Sequence, residues 1–276
     1  METHTLRAYV GHCCNVLSQT TVGVTFNKSL NEHRDRPLLL ASIPEKSLVI
    51  DDRLYLSSEL VKDHLSMNKV YFLARCRINS SREIEAFFNS DKSRQTTQTL
   101  GATLTLLRIV HPVTQEESVM ATNLPESWLE INHIGNLYKM RWEIEIFQKD
   151  FIMTAHGKIW HSRTENGILQ EFYAKFWLIN VTRALMTLCG EKLKDINERT
   201  YIKSNFKLCF HIIAKNLKKW INSPTSLIVK LIKTIKRTRE TRSKNSRNYS
   251  RVIKVPANKY PYDNTVLSMN RPPPTR

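Results

Sequence analysis

Two short apolar runs with a helix-patterned stretch between them constrain the fold of this chain more than any other feature. Ser47-Leu48-Val49-Ile50 is a continuous apolar run that stops abruptly at Asp51-Asp52-Arg53, and Lys69-Val70-Tyr71-Phe72-Leu73-Ala74-Arg75 is a second strand-like run. Leu56 to Met67 has helical spacing, with Ser57 or Ser58 as N-cap and Leu60, Val61 and Leu65 on one face. A strand without a polar face needs cover on both sides, and two strands joined through a helix pair in parallel. The pattern predicts an α/β architecture with a partly parallel sheet and acidic residues at the C-terminal edge of a buried strand.

The flanking segments extend this reading. Residues 7–26 are rich in β-branched and aromatic residues, with a polar break from Asn15 to Thr20, and read as two strands joined by a turn. Asn31 to Leu40 reads as a capped helical turn. From Ile78 to Leu124 the pattern is strand-rich, with strands at Leu100 to Val110 and Ser118 to Thr122 around a polar loop, His111 to Glu117. We expect this stretch, about residues 78–125, to be a β-rich insertion. Helical spacing runs from Trp128 to about Leu188, with a helix from Tyr138 to Phe151, a loop from Ala155 to Thr164 and a long apolar helix from Gly167. Amphipathic stretches follow at Phe206 to Trp220 and Ser226 to Ile235. The expected organisation is one domain over 1–190 and a helical, basic extension over 191–276.

Charge narrows the class of partner. The 276 residues hold 42 Lys and Arg against 25 Asp and Glu, a formal charge of +17, which favours a polyanion over a small neutral substrate. From Lys233 to Lys254 nine basic residues face a single acid, Glu240, and the closing Arg271-Pro-Pro-Pro-Thr-Arg276 excludes a helix. Such a tail is expected to stay mobile until it meets an anion. The five cysteines are scattered and form no Cys-x-x-Cys pair, so neither a disulfide framework nor a zinc site is suggested, and a reducing cytoplasm fits. His12 beside Cys13 and Cys14 reads as strand residues pointing to alternate faces. Phe176 to Cys189, the longest apolar run, carries Asn180 and Arg183 and is too short to span a bilayer, so no membrane association is expected.

Within the helical region, Tyr138, Arg141 and Glu145 stand at i, i+3 and i+7, which places a hydroxyl, a guanidinium and a carboxylate on one helical face. A phosphate binder beside a metal ligand points to phosphoryl transfer on nucleic acid. Such chemistry uses divalent ions held by carboxylates distant in sequence. Asp52 and Glu145 are the acids placed to serve, with Asp51 as the adjacent rival on the opposite strand face. Each has a structural reading beside it. Asp51-Asp52-Arg53 suits a strand-ending turn, and Glu145 suits an intrahelical ion pair with Arg141 or Lys149.

Tyr138-x-x-Arg141-Trp142-x-x-Glu145 resembles the Tyr-Arg-Glu-Lys motif of DDE transposases from bacterial insertion sequences, the IS-four group. Asp52-Arg53-Leu54-Tyr55 resembles the strand-end segment that carries that family's second carboxylate, which is why Asp52 is preferred to Asp51. Thr122-Asn123-Leu124-Pro125 is similar to the segment preceding the motif helix, and the likeness covers most of Val22 to Asn180. The resemblance implies an RNase H-like mixed sheet flanked by helices, a Mg²⁺ or Mn²⁺ cofactor held by Asp52 and Glu145, and phosphate contacts by Tyr138 and Arg141. It implies double-stranded DNA as partner, cleavage and strand transfer at insertion-sequence ends, and assembly as a homo-oligomer or a hetero-oligomer with an intact transposase.

Two departures bear on activity. Ile152 stands where the family's motif has lysine, leaving Lys149 as the nearest substitute. Between Met1 and Arg34 there is no aspartate to serve as first carboxylate; Glu2 lies at the terminus and Asp35 matches a later segment. The expectation is a transposase lacking its first strand and one metal ligand, impaired in strand transfer, with a non-catalytic DNA-binding transposition inhibitor as the alternative.

Overall fold

A computed structural model describes residues 9–27, 35–110, 115–188, 194–197, 200–222 and 224–243. Its centre is a five-stranded mixed sheet built from β3 (Leu48–Asp51), β4 (Tyr71–Arg75), β5 (Arg94–Thr99), β6 (Ala102–Val110) and β7 (Glu117–Thr122). The strand order is β3-β4-β7-β6-β5. β3 and β4 pair in parallel, Leu48 opposite Tyr71 through Asp51 opposite Ala74, and the remaining pairs are antiparallel. The parallel pair is joined through α2 (Ser58–Leu65), whose N-terminus is closed by Ser57: its Oγ accepts the Leu60 amide at 3.2 Å. A sheet with helices on its faces is the mixed α/β class read from the sequence, and it is consistent with an RNase H-like core.

The alternation of strand residues sorts the core into two layers. Phe72, Ala74, Leu106, Val119 and Ala121 pack with Leu60 and Val61 of α2 and with Ile84 and Phe87 of α3 (Arg82–Phe88). Their neighbours Leu73, Leu107 and Met120 point the other way, onto Ile134 of α4 (Ile131–Lys139) and onto Leu124 and Leu129. Phe72, Leu73, Leu106 and Leu107 are completely buried, each stabilising the fold by about 1.5–3 kcal/mol. Thr122 and Asn123 finish this edge. The Thr122 hydroxyl donates to the Phe72 carbonyl, and the Asn123 side chain accepts from the Phe72 amide at 2.8 Å, so β7 ends by capping β4 and turning toward α4.

Among the described residues the first elements are a hairpin, β1 (Tyr9–Asn15) and β2 (Thr20–Asn27), which forms its own two-stranded sheet. Short α1 (Arg36–Leu40) leads from it to β3. The hairpin's Val10, Val24 and Phe26 pack on a phenylalanine-rich cluster formed by Phe147 and Phe151 of α5 (Trp142–Met153) and by Phe172, Phe176 and Ile179 of α6 (Glu165–Leu188). The end of α6, with Leu185 and Met186, meets Cys209 and Ile213 of α7 (Phe206–Asn222) and Leu231 and Ile235 of α8 (Pro224–Lys236). A three-stranded sheet, β8 (Lys194–Asn197), β9 (Thr200–Ser204) and β10 (Arg239–Ser243), lies alongside in the order β10-β9-β8.

Several expectations are corrected. The strand-rich stretch from Ile78 also contains a helix, α3, whose N-cap Ser81 accepts the Ile84 amide at 3.2 Å. Leu100 does not begin a strand: with φ of 52° at Leu100 and 82° at Gly101, the two make the tight turn between β5 and β6. β6 and β7 are members of the main sheet, so the β-rich stretch extends it. The helix read from Tyr138 to Phe151 is two helices. At the joint, Met140 and Arg141 donate to carbonyls three residues back, Leu137 and Tyr138, in place of the four-residue spacing, and this tighter turn re-aims Arg141. Lys233 and Lys236 lie on α8, and Arg239 and Arg242 on β10, so this part of the basic run is structured. Its continuation from Lys244 to Lys254 and the closing residues 271–276 lie outside the described residues, as do Asn31 to Arg34, Glu2 and the polar loop's His111.

Candidate functional site

The site forms where β3 ends. Strand alternation sends Asp51 and Asp52 to opposite faces, and each meets an arginine. Asp51 turns inward: its Oδ2 lies 2.9 Å from His64 Nε2 and its Oδ1 3.4 Å from Arg36 Nη2. Arg36 Nη2 is also 3.0 Å from His64 Nε2, a nitrogen that serves as donor to Asp51 or acceptor from Arg36, one at a time. The His64 ring is wholly buried and stacked on Phe72, with centroids 5.2 Å apart.

Asp52 turns toward the joint between α4 and α5. Its Oδ2 lies 3.0 Å from Arg141 Nη1, while Arg141 Nη2 lies 3.1 Å from Glu145 Oε1, so one guanidinium bridges two carboxylates that are far apart in sequence. Arg141 also lies over the Trp142 ring, 5.3 Å from its centroid. Asp52 shapes the strand-ending turn as well, accepting the Leu54 amide on Oδ1 at 3.2 Å and the Tyr55 amide on its carbonyl at 3.0 Å. The turn reading and the intrahelical ion pair with Arg141 thus both describe real contacts, and they coexist with the convergence of Asp52 and Glu145.

Tyr138 lies in the last turn of α4, beside this cluster. Burial foremost, and the Asp52 charge next, push its phenol above the ordinary tyrosine range, with Arg141 and Arg75 pulling in the opposite sense. It therefore stays a hydroxyl able to donate. Lys149 is exposed on α5, one turn beyond Glu145, and Ile152 lies further along the same helix. Asp52, Arg141, Glu145 and Lys149 line a cavity of about 1180 Å³, whereas Tyr138 faces a neighbouring hollow of about 340 Å³.

The two carboxylates supply the hard oxygen donors that a divalent cation takes. Both present oxygens to the same positive group, and Mg²⁺ characteristically takes one or two carboxylates and completes its shell with water and phosphate. The Arg141 guanidinium supplies the positive charge that both carboxylates face. Among the described residues no group of three or more His, Cys, Asp or Glu side chains is placed to hold a metal. His12 Nε2 instead meets Thr21 Oγ1 at 3.0 Å, with its ring against Phe147 and Phe176; Cys13 and Cys14 are free thiols.

Two polar features escape sequence reasoning. Arg183, 4% exposed, hydrogen-bonds through its guanidinium to Asp150 and to Gln19 and lies over the Phe206 ring, tying the β1–β2 turn to α5, α6 and α7. Gln19 in turn donates to Glu143. The only signal was an arginine inside an apolar helical run. On α7, Lys207, His211, Lys215 and Lys218 are exposed at spacings of four, four and three, which aligns them in one stripe. Lys230, Lys233 and Lys236 form a second exposed row on α8. Among the described residues no helix is long and apolar enough to cross a membrane.

Compared with known proteins, the chain matches a model of the transposase DDE domain over residues 2–181. No curated protein shows a significant match.

Proposed function

From the premise that the chain belongs to the transposase DDE domain family, we propose that it binds double-stranded DNA and derives from an enzyme of metal-dependent cleavage and strand transfer at insertion-sequence ends. The observation that carries this reading is the junction of Asp52 and Glu145 through Arg141 at the end of β3, beside the Tyr138 hydroxyl. Asp52 and Glu145 would hold Mg²⁺ or Mn²⁺, which would supply Lewis-acid stabilisation of the phosphodiester and help activate the nucleophile. Tyr138 donates to a phosphate oxygen. Arg141, once released from the carboxylates, offers a forked cation to the same phosphate, and Lys149 adds a point charge at the cavity wall. The lysine rows of α7 and α8 extend the phosphate-binding surface beyond the site.

The working organisation is a catalytic domain over 1–190 and an extension over 191–276, acting in the cytoplasm as a homo-oligomer or beside an intact transposase. The two-carboxylate set favours weak chemistry, with little strand transfer by this chain alone. It also supports a second reading, a non-catalytic DNA-binding inhibitor of transposition. Asp52→Ala combined with Glu145→Ala separates the two. Mn²⁺-dependent nicking of supercoiled DNA should vanish in the double variant while salt-sensitive DNA binding remains. If the parent protein nicks nothing under any divalent ion yet inhibits an intact transposase, the inhibitor reading stands and the catalytic one falls.

A further inference from the structure

Glu145 is carried by α5, and apolar packing alone leaves the rotation of that helix about its own axis loosely set. Ile144, Ile146, Phe147, Phe151, Ile152 and Met153 are spread around the helix instead of forming one stripe, and Ile146, Ile152 and Met153 remain exposed. Rotation matters to a ligand. Rolling a helix by about 20° carries a carboxylate about 6 Å from its axis through about 2 Å, whereas metal–ligand distances tolerate about 0.2 Å. At about 100° per residue, Asp150 falls within about 20° of Glu143 around the axis, and Glu145 points about 140–160° away from both.

The face opposite Glu145 is held by directed polar contacts. Arg183 of α6, 4% exposed, hydrogen-bonds through its guanidinium to Asp150 and to Gln19 Oε1, and Gln19 Nε2 donates to Glu143. A guanidinium only donates and an ionised carboxylate only accepts, so a side-chain amide is the group that joins them end to end. Gln19 lies in the β1–β2 turn at a φ of 54°, a left-handed conformation for which glycine is the default residue. The turn thus keeps a side chain where backbone sterics favour none, and that side chain is committed at both ends.

We propose that Arg183 and Gln19 are positioning residues: through Asp150 and Glu143 they fix the roll of α5 and so aim Glu145 at the side of Asp52 where a divalent cation binds. The inference rests on the reading that Asp52 and Glu145 are the metal ligands. Glu143 and Asp150 lie seven residues apart, about two turns, so the helix is gripped at two points along its length. Stability alone does not account for the arrangement, because apolar residues of similar volume often replace a buried ion pair without loss. Charge-assisted bonds from a forked guanidinium add the directional constraint that apolar contact lacks.

The test uses the full 276-residue protein with Mn²⁺ alone and no DNA, reading metal affinity from the EPR signal of the free ion and stability from urea unfolding. Glu145→Ala defines the part of Mn²⁺ binding that belongs to the site. Gln19→Gly suits the turn backbone and removes only the amide; it should weaken that binding roughly tenfold, as loss of an outer-shell partner does, with the urea midpoint close to the parent's. Arg183→Met should act in the same direction, and if it does not fold, Gln19→Gly still carries the test. Leu185→Ala, on the same helix but outside the network, should lower the urea midpoint and leave Mn²⁺ affinity unchanged. Parent-like Mn²⁺ affinity in Gln19→Gly, or an equal loss in Leu185→Ala, would overturn the positioning role while leaving the ligands in place. Unchanged Mn²⁺ binding in Glu145→Ala is the separate result that removes the ligand reading itself, and the proposal with it.

Discussion

Asp51 and Asp52 are neighbours in sequence with the same side chain, each paired with an arginine, and they have opposite parts in the molecule. Asp51 and its partner Arg36 are 13% and 11% exposed, and the histidine between them is wholly buried against Phe72. Asp52 and Glu145 are 31% and 41% exposed around Arg141, within the same cavity that Asp51 and Arg36 also border. In the closed network, removing one member strands the others in a low-dielectric interior. In the open one, water replaces whatever leaves, so the groups are free to exchange partners. Burial, rather than residue type, separates the two pairs, and it is why Asp52 and Glu145, not Asp51, are the proposed ligands.

The strongest way to break this comparison is to remove each acid in turn. Asp51→Ala should cost about 3–5 kcal/mol in urea unfolding, the usual penalty for orphaning a buried ion-pair partner. A loss below about 1 kcal/mol would place Asp51 with the surface pairs and erase the distinction. Acid probes burial differently. Burial lowers the His12 pKa to about 4 from 6.5. The folded state then binds fewer protons than the unfolded one between these values, so stability is full above about pH 6.5 and declines as pH falls toward 4. The loss is on the order of 3 kcal/mol, read as a fall in Tm between pH 7 and pH 4.5, and His12→Phe should flatten that dependence. Asp52→Ala, by contrast, should change stability by about 0.2–1 kcal/mol and, on the catalytic reading, abolish nicking. Smallest in folding terms is the triple exchange of Lys207, Lys215 and Lys218 for Gln. It should leave Tm unchanged within error while lowering the salt slope of DNA binding by up to about 2.7, since each lost phosphate contact removes about 0.9. An unchanged slope would move the DNA surface away from α7.

Much of the core was legible because its signals are local. The apolar runs at β3 and β4, the Ser57 cap and the alternation of Phe72 with Leu73 depend on neighbours a few residues apart. The α4–α5 division was not legible, since neither proline nor glycine marks the joint. It shows only in the three-residue hydrogen bonds at Met140 and Arg141 and in the contact of Arg141 with Asp52, 89 positions away along the chain. Strand alternation did predict that Asp51 and Asp52 diverge, but it could not say that His64 would claim one and Arg141 the other. The basic stripe on α7 was overlooked for a different reason. Its lysines are diluted by Leu208, Cys209 and Ile213, and they align only once the helix is wound.

Asn180 illustrates how one amide can set mechanical behaviour. From the middle of α6 its side chain accepts the Thr21 amide at 2.7 Å and donates to the Thr21 carbonyl at 3.0 Å, offering the hairpin the same pair of bonds a neighbouring strand would. The hairpin is thereby leashed to a long helix, while among the described residues it shares no ladder with the central sheet. Any displacement of α6 at Asn180 is therefore handed to β2 through two backbone bonds at a single residue.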